Sequence, residues 1–221
     1  MKSYNITLQN GHILVAEAAG SLLIDTGSPM SFHSAGRFEL GGETFSVPKS
    51  LMNVNADYVS EKVGTRVEGL VGMDVIGRLG MVVDLPAGKV TFGAGTDGWR
   101  RIPSSTLGVV RMDISVGGKP ARVALDTGAP ISYIGRSYAN GYEAVDTETD
   151  FSPFSATDSF EVPIYEIPVS VGGEEIRMRL GTPPNDVGAM ITMCGLDGAI
   201  GLELLSRKAV LIADGGVWMR A

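Results

Sequence analysis

SLLIDTGSPMSF at residues 21–32 and RVALDTGAPISY at residues 122–133 follow one pattern. Each has an apolar run typical of a buried strand, then Asp-Thr-Gly, a small residue, a proline and a mixed apolar stretch. Self-similarity of this kind indicates two copies of one structural unit. Asp25 and Asp126 therefore occupy equivalent places in two similar halves of the chain.

A second repeated element follows each of these stretches, at residues 69–93 and 198–219. Each copy opens with two apolar residues and a glycine, namely Leu70-Val71-Gly72 and Ala199-Ile200-Gly201. A short helix-like turn comes next, then an apolar strand, a turn containing aspartate and a last strand. The paired elements strengthen the prediction of two similar lobes.

Tight turns between alternating apolar and polar runs predict several β-hairpins. Glycine and asparagine adopt the positive φ values that two-residue hairpin turns require. The chain has 30 glycines, which favours many short strands. The predicted hairpin turns lie at Asn10-Gly11, Gly41-Gly42, Gly117-Gly118 and Gly172-Gly173.

Composition narrows the possible functions. The 221 residues carry a net charge of −7, so a basic surface for nucleic acid is not expected. The chain has one cysteine, Cys194, so it has no disulfide framework within the chain. Its two histidines, His12 and His33, are few for a metal centre or a histidine-based catalytic triad. No metal and no cofactor are expected, and acid–base chemistry must rest on carboxylates.

The N-terminal residues lack a basic-then-apolar signal pattern, and no apolar run has the length of a membrane span. The expectation from these features is a cytoplasmic protein with no membrane partner. The predicted domains are an N-terminal lobe at 1–97, a linker at 98–107 in a stretch rich in Gly, Ser and charged residues, and a C-terminal lobe at 108–221.

Asp25 and Asp126 are the candidate chemical groups. Two carboxyl groups that share one proton can act together as acid and base on a water molecule. Ser28 follows the first Asp-Thr-Gly where Ala129 follows the second. Its hydroxyl is expected to support the pair and to favour Asp25 as the ionised member.

The two Asp-Thr-Gly motifs, each followed by apolar-apolar-Gly, resemble the retropepsin and pepsin superfamily of aspartic peptidases. The resemblance covers both halves of the chain except for the linker and residues 134–164. It implies an all-β fold of two retropepsin-like β-barrel lobes around a pseudo-twofold cleft, with one short helix per lobe. It implies an aspartic endopeptidase, a hydrolase that acts as a monomer on a peptide or protein substrate. By position it implies catalytic Asp25 and Asp126, a grip between the lobes by Thr26 and Thr127, and substrate contacts at Gly27 and Gly128.

Family members cover the cleft with a hairpin flap. The interval between Asp-Thr-Gly and the next Gly-Gly is short in the first half and long in the second, where the extra residues fall within 134–164. We therefore expect one flap, from the second lobe, within 142–165. Phe151 and Phe154 are the candidates to cover the substrate; a surface loop with two docked aromatic side chains is the alternative.

Other functions fit parts of the pattern. A peptide-binding module of the same fold without catalytic turnover would keep both motifs. A peptidase dedicated to one protein partner would differ only in specificity. The actin-like sugar kinases also carry paired Asp-x-Gly motifs, but they need long helices and a glycine-rich phosphate loop, neither of which is evident here.

Overall fold

A computed structural model describes residues 1–152, 155 and 157–220 of the chain. Strands dominate, and they form two large sheets and two small two-stranded ones. The elements of the first half are β1 Lys2–Gln9, β2 His12–Glu17, β3 Gly20–Ile24, β4 Phe32–His33, β5 Arg37–Leu40, β6 Glu43–Ser46, β7 Ser50–Leu51, β8 Val54–Asn55, α1 Ala56–Val63, β9 Gly69–Val71, α2 Met73–Leu79, β10 Met81–Asp84 and β11 Lys89–Phe92.

The second half continues the alternation of short strands and short helices. Its elements are β12 Arg100–Ile102, β13 Ser104–Leu107, β14 Val109–Val116, β15 Lys119–Leu125, β16 Tyr133–Ile134, α3 Arg136–Ala139, β17 Ala144–Asp150, β18 Phe160–Val171, β19 Glu174–Gly181, α4 Asn185–Met193, β20 Gly198–Ile200, α5 Leu202–Leu205, β21 Val210–Ala213 and β22 Gly216–Met219. Two of these strands, β12 and β13, lie in the segment expected as a linker.

All four predicted hairpin turns are confirmed. They connect β1 to β2, β5 to β6, β14 to β15 and β18 to β19, all antiparallel pairs. Asn10 and Gly11 have φ values of 46° and 77°, and each Gly-Gly pair likewise has two positive φ values. The twist of such a turn matches the twist of the flanking strands.

The repeated motifs form the same arrangement in both halves. The strand before the first Asp-Thr-Gly, β3, pairs in parallel with β9, and its counterpart β15 pairs in parallel with β20. The strands that follow each motif, β4 and β16, pair antiparallel with β9 and β20 on their other side. Each aspartate thus emerges from the interior of a sheet.

The two halves are joined through β10 and β21, which pair antiparallel. The sheet continues on one side through β11 and β1, and on the other through β22 and β12. In the second half, β14, β15, β20, β16, β19 and β18 close into a six-stranded barrel because β18 pairs back with β14. One apolar core extends through both halves, with Val83 and Ile212 among its buried members.

The expectation of one short helix per lobe is wrong. The described residues include two helices in the first half and three in the second. The predicted turns after apolar-apolar-Gly are α2 and α5. Helix α1 was missed although it is well capped: the Asn55 side chain accepts the Tyr58 N–H at its start, and Gly64 ends it in the left-handed conformation.

None of the helices in the described part of the chain has the length and apolar character needed to span a lipid bilayer.

Candidate active site

The two Asp-Thr-Gly loops meet at the junction of the halves. The Asp25 N–H donates to the Val71 carbonyl at 3.0 Å, and the Asp126 N–H donates to the Ile200 carbonyl at 2.9 Å. These bonds prolong the parallel pairing of β3 with β9 and of β15 with β20 by one residue. Each aspartate is therefore fixed at the end of a buried strand.

Thr26 and Thr127 connect the loops through four hydrogen bonds. The Thr26 N–H donates to the Thr127 hydroxyl at 3.0 Å, and the Thr127 N–H donates to the Thr26 hydroxyl at 2.9 Å. The Thr26 hydroxyl donates to the Leu125 carbonyl at 2.6 Å, and the Thr127 hydroxyl donates to the Ile24 carbonyl at 2.7 Å. Both threonines are fully buried, so each bond is shielded from water.

Backbone N–H groups orient the two carboxyl groups. Asp25 Oδ1 accepts from Gly27 at 2.9 Å and from Ser28 at 3.1 Å. Asp126 Oδ1 accepts from Gly128 at 2.9 Å. In each loop the glycine that follows Asp-Thr therefore holds the aspartate of its own half.

The same glycines allow the two carboxyl groups to approach the opposite loop. A methyl group at Gly128 would lie 2.7 Å from Asp25 Cγ, and one at Gly27 would collide with the Asp126 carboxyl group. No carbon atom fits at these distances. Glycine is required at both positions by close packing.

Burial raises the pKa of both carboxyl groups. The pKa of Asp25 lies well above its ordinary value because of burial, the neighbouring Asp126 charge and a hydrogen bond between the two side chains. The pKa of Asp126 is also raised by burial, but its hydrogen bonds to Asp25 and to the backbone act in the opposite direction. Raised pKa values on both groups favour a proton shared by the pair.

The expected role of Ser28 as a hydroxyl donor to Asp25 is wrong. Its hydroxyl donates to the Met30 carbonyl at 2.8 Å, and the residue reaches Asp25 only through its N–H. The Ser28 hydroxyl therefore gives no reason for Asp25 to be the ionised member of the pair.

Two buried serines, Ser31 and Ser132, hydrogen-bond the glycines of the second repeated element, and the sequence analysis did not predict this. The Ser31 hydroxyl accepts the Gly72 N–H at 2.8 Å, and the Ser132 hydroxyl accepts the Gly201 N–H at 3.0 Å. Each bond ties an Asp-Thr-Gly loop to the apolar-apolar-Gly element of the same half. The signal was available, because serine occupies the same place in both repeats.

His12 lies against the second loop. It is 4% exposed and lies against the Gly128 backbone, and among the described residues its buried Nδ1 has no hydrogen-bond partner. Burial lowers its pKa below the ordinary 6.5. Neutral His12 is therefore part of the surroundings of the aspartate pair, and no local pattern around residue 12 predicts this.

The segment expected to carry a flap contains the antiparallel hairpin of β17 and β18, with Asp150 opposite Phe160 at its outer end. Phe151 follows β17, and its ring centroid lies 5.9 Å from that of His12. The Lys62 ammonium of α1 lies 5.9 Å from the same ring. Phe151 thus bridges from the second half to the first beside the Gly128 loop; Phe154 lies outside the described residues.

This geometry brings Asp25, Asp126, both threonines and both glycines together. The aspartates remain half-buried, so water can reach carboxyl groups that are otherwise surrounded by protein. A protonated carboxyl group beside an acceptor carboxylate can polarise a carbonyl group and activate a water molecule.

No protein-family profile and no curated protein matches the sequence. Among solved structures, the chain is similar to an aspartic proteinase from Irpex lacteus, with a TM-score of 0.56 and 15% sequence identity. The superposition covers 100% of this chain and 97% of that one. The chain has the fold of an aspartic proteinase. This fold confirms the predicted all-β, two-lobed architecture and explains why the Asp-Thr-Gly loops face each other.

Proposed function

We propose that the chain is an aspartic endopeptidase that hydrolyses peptide bonds with a water molecule held between Asp25 and Asp126. The observation that carries the proposal is the four-bond junction of Thr26 and Thr127, which sets the two carboxyl groups side by side. A carboxyl pair with raised pKa values at the end of two buried strands suits general acid–base catalysis.

In this proposal Asp126 is the base and Asp25 the acid. Asp126 takes a proton from the water as the water oxygen attacks the carbonyl carbon, while Asp25 gives its proton to the carbonyl oxygen. In the second step Asp126 gives its proton to the amide nitrogen, Asp25 takes back a proton from one hydroxyl group of the intermediate, and the C–N bond breaks. No covalent bond to the protein forms, so the chemistry needs only positioned carboxyl groups and water.

The duplicated, retropepsin-like form in one chain belongs to the same proposal. Each half supplies one loop, one apolar-apolar-Gly element and one serine, so a second copy of the chain is not needed to complete the pair. The proposed lobes at 1–97 and 108–221 and the linker at 98–107 follow from the positions of the repeats. The hairpin of β17 and β18 serves as the flap, with Phe151 beside the substrate and Gly27 and Gly128 along its backbone.

A peptide library tests the proposal. Purified protein is incubated with the library from about pH 3 to 8, and cleavage is followed by mass spectrometry for the unchanged protein and for Asp25→Asn and Asp126→Asn. Asp97→Asn is the matched control because Asp97 is exposed. The proposal predicts cleavage in the unchanged protein and the control and its loss in both other variants.

The alternative of a peptide-binding module without turnover gives a different result. It predicts peptide binding without cleavage at any pH, with equal amounts of intact peptide recovered from the unchanged protein and both variants. Cleavage that persists in both variants would contradict the mechanism itself.

A further inference from the structure

The two halves differ at one buried position immediately after the loops. Phe32 of β4 lies opposite Leu70 of β9, and Tyr133 of β16 lies opposite Ala199 of β20, in the same register. Both side chains are buried, with exposures of 0% and 6%. The second half therefore carries an additional hydroxyl group at a site where the first half has only an aromatic ring.

That hydroxyl group reaches the hairpin of the second half. The Tyr133 hydroxyl donates to Asp150 Oδ2 at 2.5 Å, and Asp150 is the last residue of β17. The other oxygen, Oδ1, accepts the Phe151 N–H at 2.8 Å. The Asp150 carboxylate at the end of β17 is thus bonded both to the buried Tyr133 and to the backbone of Phe151, the next residue along the chain.

The ring of Tyr133 adds apolar contact to the same hairpin. It packs in a cluster with Val162 and Ile164, which belong to β18. A hydrogen bond from a buried hydroxyl to a carboxylate is charge-assisted and is stronger than a neutral one. Loss of the hydroxyl would leave the carboxylate half-buried with one donor fewer, while the ring contacts would remain.

The end of the hairpin lies close to the aspartate pair. Phe151 contacts His12, and His12 in turn lies against the Gly128 backbone. Gly128 is itself in contact with the Asp25 carboxyl group. The position of Asp150 therefore determines where Phe151 lies relative to the proposed catalytic centre.

We propose that Tyr133 and Asp150 form a latch that holds the hairpin of β17 and β18, and with it Phe151, beside the aspartate pair. Both are positioning residues, since neither contacts the proposed reacting atoms. The latch as a structural device is independent of catalysis; its effect on substrate rests on the proposed function. It also explains why the tyrosine occurs only in the half that carries the long hairpin.

Hydrogen exchange of the hairpin tests the latch without any substrate. Amide exchange at 144–165 is compared in the unchanged protein, Tyr133→Phe and Asp150→Asn. Tyr138→Phe is the matched control, because it removes a tyrosine hydroxyl that donates to the Pro120 carbonyl of the same lobe, away from the hairpin. The latch predicts exchange faster by about tenfold in Tyr133→Phe, a smaller increase in Asp150→Asn and no change in the control.

Kinetics on a cleaved peptide provide the second readout. Tyr133→Phe is expected to raise KM by about tenfold with a smaller change in kcat. A general loss of stability would instead lower the amount of active enzyme, which lowers the apparent kcat and leaves KM unchanged. Hairpin exchange equal in Tyr133→Phe and the unchanged protein, with both folded, would overturn the latch. Faster exchange in a protein that cleaves no peptide would uphold the latch and refute the proposed function.

Discussion

Thr26 and Thr127 each accept the backbone N–H of the other and each donate to a carbonyl of the opposite half, within 3.0 Å in every case. The exchange is possible because each threonine directly follows its aspartate at the point where the two loops meet. The same bonds serve the fold and the candidate site.

Replacement of Thr26 by valine tests the contribution of this junction to stability. Valine keeps the shape of threonine but leaves the buried Thr127 N–H and Leu125 carbonyl without partners. We expect the free energy of unfolding to fall by roughly 2–5 kcal/mol in chemical denaturation. Thr26→Ser, which keeps the hydroxyl, should lose much less; equal stability of the two variants would contradict the role given to the hydroxyl.

Gly128→Ala tests the close approach of the loops. Its methyl group would lie 2.7 Å from Asp25 Cγ, so the pair must separate. We expect cleavage of a peptide to slow by about 100-fold or more, because displaced catalytic groups lose their alignment. Gly188→Ala on α4 is the control, since among the described residues its methyl group would meet only Pro183, at 3.6 Å. A fully active Gly128→Ala protein would show that the pair does not need this approach.

The raised pKa of Asp25 predicts a stability that depends on pH. The unfolded chain releases this proton near the ordinary value of 3.8, whereas the folded protein retains it to higher pH. The contribution of Asp25 is therefore complete below about pH 4 and is lost as pH rises through the folded pKa. In urea denaturation at several pH values, the free energy of unfolding should fall less with rising pH in Asp25→Asn than in the unchanged protein. The same dependence on pH in both proteins would contradict the raised pKa.

For His12 we expect stability to change with pH in the opposite direction. Folding keeps it neutral, whereas the unfolded chain takes up a proton below the ordinary value of 6.5. The contribution of His12 is therefore complete above that pH and is lost as pH falls towards the lowered folded value. His12→Gln should remove this loss of stability below about pH 6.5 in the same denaturation series. An unchanged dependence on pH in the variant would show that His12 does not titrate in this way.

Local patterns in the sequence were enough to predict much of the fold. Asn10-Gly11 and the Gly-Gly pairs specify their turns through positive φ values that few other residues adopt. The repeat around Asp25 and Asp126 predicted two equivalent halves because similar local sequences form similar strand–loop units.

Other features depend on contacts that local patterns do not encode. The pairing of β10 with β21 joins strands from the two halves of the chain, and the residue pattern within either strand does not specify which strand it pairs with. Ser28 is a short polar residue that can bond to several nearby groups, and only the turn geometry selects the Met30 carbonyl. The place of His12 beside Gly128 follows from how the two halves pack.

The most direct test of the central claim is the cleavage rate of one good peptide by Asp25→Asn, Asp126→Asn and the double variant. If the two carboxyl groups act as one unit, each single variant should lose about 10²- to 10⁴-fold, and the double variant should lose little more than either. A single variant with the rate of the unchanged protein, or losses that multiply in the double variant, would contradict a shared pair.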